Sequence, residues 1–468
     1  MKNNIVHLSL ILLLSACTTS PKVSWMVTTP EKSFSESPLE APNQGKVATK
    51  VEILTTSPEQ TIKGFGACFN ELGWDALMAL DSTERATIMA ELFDPEIGSA
   101  FTVCRMPVGA NDFSRDWYSY NETDGDFGMS NFSVAHDTTT LIPFIKAALK
   151  FNDSLYIWAS PWSPPTWMKR NGHYAMDTNS SSIYANGLKA TQRGAEGVDF
   201  FKLEPRYLAA YADYFGRFVE QYRGHGIEIK AVAPQNEFNS CQIFPSCSWT
   251  ARGLSEFMGS YLAPRMDSMG VELWVGTVER KNDLLVDTVL KSCPGQVKAV
   301  AFQWAGKEAV AQVHKNHPEM AIVQSESECG DGQNSWEFCF YTWSLVKHYM
   351  RQGASIYEYW NIALKDNGLS RWGWRQNSLV SVDADKGTFR YNPEYYLMKH
   401  LSHYVKPGAR HLPTQGEYDD ILAFKNPDGQ TVVMAVNPTT EQTTIEVKCN
   451  KSIFTATLEP QSINTFTL

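Results

Sequence analysis

Apolar and polar positions along the chain follow two periods. Short β-branched or aromatic runs recur from about Thr61 to His400, and stretches with helical spacing separate them. The runs contain Ile62-Lys63-Gly64-Phe65, Phe101-Thr102-Val103-Cys104-Arg105, Leu155-Tyr156-Ile157-Trp158 and Ile229-Lys230-Ala231-Val232-Ala233. They continue with Glu272-Leu273-Trp274-Val275, Ala299-Val300-Ala301-Phe302, Ala321-Ile322-Val323-Gln324 and Ser355-Ile356-Tyr357-Glu358-Tyr359. Helical patterns cover Asp81 to Leu92, Glu204 to Tyr222, Leu254 to Met269 and Trp336 to Arg351. The first of them has a capping start in Asp81-Ser82-Thr83-Glu84.

Strands alternating with helices predict an α/β fold, and eight such strands fit a (β/α)8 TIM barrel. A doubly wound open sheet has the same alternation, so periodicity alone does not choose. Placement does: the polar residues of interest follow the C-terminal ends of different strands, where barrel enzymes build their sites. From Tyr404 onward, short alternating strands with Asn-Pro and Pro-Asp-Gly turns follow one another without a helix. These predict a β-sandwich, completed by N-terminal strands around Lys46 to Leu54. The expected organisation is a signal peptide over 1–16, a tether over 17–45 and N-terminal sandwich strands over 46–58. The barrel then spans 59–403 and the C-terminal sandwich 404–468.

Composition narrows the function. Hydrophobic residues are 43% and charged residues 20% of 468, the balance of a globular protein rather than a disordered one. The net charge is −10 with no basic cluster, which excludes nucleic acid as a partner, because that binding needs clustered Lys and Arg. The 14 Trp suit a protein whose aromatic faces stack on sugar rings. Ile5 to Leu14 form an apolar run too short to span a bilayer, ending in Leu14-Ser15-Ala16-Cys17. That tetrapeptide resembles a bacterial lipobox. It implies cleavage before Cys17, lipidation of its thiol and a place in the bacterial cell envelope; a plain signal peptide is the alternative. Either way the protein leaves the cytoplasm, so disulfides are permitted, and Cys241 with Cys247 would close a short loop. No Cys or His spacing fits zinc, and neither metal nor cofactor is expected. A monomer is expected.

Two segments carry acid–base chemistry. Ala233-Pro234-Gln235-Asn236-Glu237 follows the fourth strand and sets an amide beside a carboxyl group. A glycosidase uses such a pair to protonate the leaving oxygen and hold the sugar 2-hydroxyl. Gln324-Ser325-Glu326-Ser327-Glu328 ends the seventh strand, across the barrel from the fourth. A carboxyl there can approach the first at the roughly 5 Å spacing of a retaining pair. Glu326 and Glu328 are two apart and share a face, so parity leaves both open, with Glu326 nearer the strand. Arg105 and Asp112 follow the second strand, as an anchor for a carboxylate and an acceptor for sugar hydroxyls. Trp162 and Trp167 lie in a Pro-stiffened loop after the third, and Trp360 ends the eighth as a floor for the cleaved sugar. The long segment Asn171 to Phe201 is placed to shape outer subsites.

In order along the chain stand Gly64-Phe65-Gly66-Ala67-Cys68-Phe69-Asn70-Glu71, Arg105-Met106-Pro107 through Ser114, and Ser160-Pro161-Trp162 through Trp167. Pro234-Gln235-Asn236-Glu237, Ser325-Glu326 and Tyr359-Trp360-Asn361-Ile362-Ala363-Leu364 follow. Together they resemble glycoside hydrolase family 30, the family of glucosylceramidase and microbial β-1,6-glucanases. The resemblance implies Glu237 as general acid/base and Glu326 as nucleophile, with Arg105, Asp112, Trp162, Asn236 and Trp360 lining the sugar subsite. Two departures stand out. Phe238 replaces a Pro common after the acid/base, and Gln303-Trp304-Ala305 occupies the place of a Tyr beside the nucleophile in glucosylceramidase. The second puts Trp304 at the site and weakens a strict glucosylceramide specificity. The expected function is a retaining endo-β-1,6-glucanase acting on oligo- or polysaccharide. β-Glucosidase, glucosylceramidase and β-xylosidase are alternatives within the family, and a non-catalytic glycan-binding lipoprotein is one outside it.

Overall fold

Eight parallel strands close into a barrel in the computed structural model, which describes residues 23–39, 48–178 and 185–468. They are β1 (Gly64–Cys68), β2 (Val103–Pro107), β3 (Tyr156–Ser160), β4 (Ile229–Val232), β5 (Glu272–Val278), β6 (Val297–Gln303), β7 (Ala321–Glu326) and β8 (Ala354–Asn361). Each pairs with its neighbours in sequence, and β8 returns to β1 with Tyr357 opposite Phe65. All eight predicted strands are present in the predicted order.

The barrel closes because its interior can be filled. Trp158 on β3 and Trp274 on β5 meet inside it at 4.9 Å between ring centroids. They pack with Ala231 and Ala233 around β4, Ala299 and Ala301 on β6, and Val103, Val323 and Ile356. Small residues on β4 and β6 leave the room that two indoles occupy, the large-against-small filling an eight-stranded barrel requires. The opposite strand faces, such as Val300, Phe302 and Ile322, join the outer core beneath the helices.

Helix starts follow the sequence where a cap is present. Asp81 accepts from the Thr83 and Glu84 amides at 2.7 and 2.8 Å and opens the helix Ser82–Phe93. The pattern over Leu254 to Met269 is not one regular helix. Ala251–Phe257 widens into π-type bonding over Met258–Leu262 before Ala263–Asp267 resumes, because Pro264 has no N–H to continue the ladder.

The sandwich sheets have six and four strands. Its N-terminal part departs from the expected organisation. Residues 17–45 are expected as a tether, yet Ser24–Thr28 is a strand inside the six-stranded sheet, between Ser462–Thr467 and Ser35–Glu36. Trp25 and Val27 alternate into the sandwich core, and that burial overrides the Ser- and Thr-rich composition. Thr49–Ile53 contributes to the other sheet, beside Thr443–Cys449. The helix Pro393–Ser402 joins the two bodies: His400, fully buried, bonds Thr28 at 2.9 Å and Thr465 at 3.0 Å. The eight described cysteines are free thiols, Cys241 and Cys247 among them. Cys17 and residues 1–16 lie outside the described residues. Among the described residues, no helix is long and apolar enough to cross a membrane.

Candidate active site

The C-terminal strand ends surround a cavity of about 410 Å³ lined in part by Asp112, Trp162, Glu237, Trp304 and Glu326. Strand irregularities bring the two glutamates together. On β7, Ala321 and Val323 point into the barrel, so simple alternation would turn residue 326 away. A bulge at Ser325 inserts one extra residue and sets Glu326 opposite Gln303, which shares the inward face of Ala299 and Ala301. Glu328, which parity leaves open, is instead held by Lys307 at 2.6 Å and by the Tyr341 hydroxyl at 2.6 Å.

Glu237 has left-handed backbone (φ 50°), and its N–H donates to Thr277 Oγ1 at 2.9 Å. Trp304 is also left-handed (φ 48°). For residues with a Cβ this conformation costs roughly 1–3 kcal/mol, held by the surrounding packing. Both residues turn sharply off a strand end and reach the same cavity.

Gln303 ties the carboxyl groups to each other. Its Nε2 donates to Glu237 Oε1 at 3.0 Å, to Glu326 Oε2 at 3.1 Å and to Asn236 Oδ1 at 3.2 Å. The bridged carboxyl oxygens therefore lie no further apart than the first two of these bonds laid end to end. Glu326 also accepts from Arg105 Nη1 at 3.0 Å and from the Trp304 indole at 3.1 Å. Glu237 accepts from Gln242 Nε2 at 2.9 Å and Ser240 Oγ at 3.2 Å.

Arg105 is the hub beneath. It is fully buried, donates to Ser160, Gln303, Ser325, Asn236 and Glu326, and lies 4.4 Å from the centroid of Trp162 and 4.9 Å from that of Trp158. Burial pushes both glutamates above the ordinary carboxylate range. The pull downward differs in kind. Glu326 is paired directly with Arg105, whereas Glu237 is held mainly by neutral amides and a hydroxyl, with Arg105 a smaller pull from further off. The pair thus settles with the negative charge on Glu326 and the proton on Glu237.

The remaining predicted residues divide. Asp112 is buried at the cavity with Oδ1 unpaired among the described residues, and burial raises it too. Asn236 is buried beside Glu237, behind the residues that line the cavity, its Oδ1 filled by Arg105 Nη2 at 2.7 Å, Thr277 Oγ1 at 3.0 Å and Gln303, which leaves its NH2 to donate. Trp360, expected as a floor, is wholly buried: it stacks behind Trp162 at 5.4 Å and does not line the cavity. Trp167 packs away from the cavity, its indole bonded to the Asn121 carbonyl at 2.9 Å.

Gln303, Thr277, Gln242, Glu279 and Arg280 are parts of the site that sequence reasoning does not single out. Glu279 follows the end of β5, a strand whose predicted run stops at Val275 because Gly276-Thr277 interrupts it. Gln303 ends β6, and its position beside Trp304 is the only signal that points to it.

Residues 62–405 match the model of the glycosyl hydrolase family 30 TIM-barrel domain, and residues 408–466 match that of the family 30 beta sandwich domain. Lysosomal acid glucosylceramidase of Mus musculus is 26% identical over 447 residues, covering 88% of this chain and 83% of its own length. Endo-1,6-beta-D-glucanase BGN16.3 of Trichoderma harzianum is 26% identical over 407 residues, covering 83% of this chain and 79% of its own. Among solved structures, the endo-beta1,6-glucanase BT3312 superposes with a TM-score of 0.79 at 22% identity, over 95% of this chain and 99% of that one. SrfJ from Salmonella typhimurium superposes with a TM-score of 0.81 at 23% identity, over 96% and 99%. Both structures support the fold. With a matched barrel and a matched sandwich, the chain belongs to glycosyl hydrolase family 30, and it is a glycoside hydrolase that acts on carbohydrate.

Proposed function

We propose that the enzyme cleaves β-1,6-glucan internally with retention of anomeric configuration, using Glu326 as nucleophile and Glu237 as general acid/base. The observation that carries the retaining mechanism is the Gln303 bridge. One amide nitrogen within 3.1 Å of both carboxyl groups keeps their bridged oxygens nearer than the roughly 6.5–9.5 Å at which an inverting enzyme sets its carboxyl groups to admit a water.

In the first step a Glu326 carboxylate oxygen attacks the anomeric carbon. The glycosidic bond breaks, and the Glu237 proton passes to the leaving oxygen. The product of this step is a glycosyl ester on Glu326. Glu237, now ionised, takes a proton from water, whose oxygen attacks the same carbon and releases Glu326 as carboxylate. Arg105 and the Trp304 indole stabilise that carboxylate before attack and again on release. The Asn236 NH2 is the donor for the sugar 2-hydroxyl, Asp112 accepts from another hydroxyl, and Trp162 supplies a stacking face.

The β-1,6 linkage and internal cleavage rest on likeness to two proteins with that printed activity, and on a cavity wall rich in carboxyl, amide and guanidinium groups. The test is a chromatographic product profile on pustulan, laminarin, xylan and an aryl β-glucoside. Oligosaccharides released early from pustulan support the reading. Glucose alone, or activity only on the aryl glucoside, replaces it with a β-glucosidase, and an α-configured first product removes retention.

A further inference from the structure

A fourth carboxyl group, Glu279, stands in the wall of the same cavity. Its side chain is 8% exposed, Oε1 pairs with Arg280 Nη1, and Oε2 is buried without a partner among the described residues. The backbone around it is fixed: the Glu279 N–H donates to Asn239 Oδ1 at 3.0 Å, and Asn239 Nδ2 donates to the Arg280 carbonyl at 3.1 Å. Arg280 in turn reaches Glu196, on the long segment after β3, at 3.1 Å. This is a built and rigid group with one open acceptor position.

Its position relative to the other acids sets what it can touch. Thr277, two residues before Glu279, accepts the Glu237 N–H at 2.9 Å, and Asn239, two residues after Glu237, accepts the Glu279 N–H at 3.0 Å, so the two segments are tied side by side. Glu279 sits beyond the acid, where the departing half of the substrate must lie. Phe244 and Trp374, 5.3 Å apart, line the same cavity and give that half an aromatic wall.

We infer that Glu279, held by Asn239 and Arg280, binds a hydroxyl of the leaving-group sugar and so selects a saccharide over an apolar aglycone. A sugar hydroxyl gives the open oxygen the partner it lacks, whereas a lipid chain would leave it desolvated and unpaired. The inference rests on the glycosidase reading above and extends it to the class of group that departs.

The test compares kcat/KM for a β-1,6-linked glucotriose and for an aryl β-glucoside, which has no leaving-group sugar, in wild type, Glu279→Ala and Glu279→Gln. The ratio of the two constants should fall about 10- to 100-fold in Glu279→Ala. It should fall less in Glu279→Gln, which keeps an acceptor of the same shape and guards against a folding defect. An equal loss on both substrates overturns the inference, because Glu279 would then act through Glu237; so does no loss on either. Wild type that turns over neither substrate removes the parent reading instead. Calorimetric titration of the glucotriose into Glu326→Gln and Glu326→Gln/Glu279→Ala still decides the subsite in that case: weaker binding by the double variant supports it, and equal binding ends it.

Discussion

Replacing Gln303 by Met removes the one donor shared by both carboxyl groups while keeping the length of the side chain. A hydrogen bond to a charged group contributes roughly 1.5–3 kcal/mol, and 1.36 kcal/mol corresponds to one pKa unit. The Nε2 of Gln303 has two hydrogens and three acceptors at 3.0, 3.1 and 3.2 Å, so each carboxyl group receives less than a full bond. A shift of about one unit at each is the expected size. The sign follows from the donor favouring the ionised form, as it does at Glu237, so losing it raises both pKa values. Glu326 must be ionised to attack, which moves the acidic limb of kcat/KM to higher pH. Glu237 must be protonated to assist departure, which moves the basic limb the same way. The pH profile on an aryl β-glucoside should therefore slide upward by about one unit with its width nearly kept. A folded variant, verified by its thermal melt, whose limbs stay in place or move downward would refute the bridging argument.

Glu326→Gln should lose turnover by several orders of magnitude while still binding glucan, measured by calorimetry. Glu237→Ala should retain its first step on substrates with good leaving groups and, with added azide, yield a β-glycosyl azide visible by NMR. Burial holds the His400 ring far below its ordinary range, at about 3, so the unfolded chain binds a proton there that the folded chain refuses. Stability should be intact above about pH 6.5 and decline by up to several kcal/mol as pH falls toward 3. His400→Gln should flatten that decline in melts taken across the range. If Cys17 carries a lipid, Cys17→Ala should move the enzyme from the detergent phase to the aqueous phase on Triton X-114 partition of expressing bacteria.

The barrel is legible in the sequence because buried parallel strands are written as β-branched and aromatic runs, and eight of those stand out. What lies at their ends is less visible. Glu237 and Asn236 follow an uninterrupted run and can be read directly. Glu279 cannot, because Gly276-Thr277 ends the apparent strand three residues early. That Glu326 faces the barrel axis depends on a bulge at Ser325, a backbone event that leaves no mark in an alternating pattern, and Glu328 is set apart by its bonds to Lys307 and Tyr341. Trp360 was legible as a residue near the site but not as one stacked behind another indole, since depth is set by tertiary packing. The strand Ser24–Thr28 is concealed for a different reason: its fully paired neighbour, Ser462–Thr467, is more than four hundred residues away, as the Trp25 to Asn464 hydrogen bond illustrates.

That last pairing has a consequence for biosynthesis. The six-stranded sheet sets its earliest-made strand against its latest-made one, with Trp25 opposite Phe466. A growing chain can complete the barrel's eight strands while Ser24–Thr28, flanked only by the short Ser35–Glu36, still waits for its second neighbour. Only emergence of the final few residues lets the accessory body close, and a long loop must be drawn shut to do it. Premature termination near residue 460 would accordingly leave two raw sheet edges at once, on Ser24–Thr28 and Thr431–Asn437, so a product lacking Ser462–Thr467 is poised to aggregate.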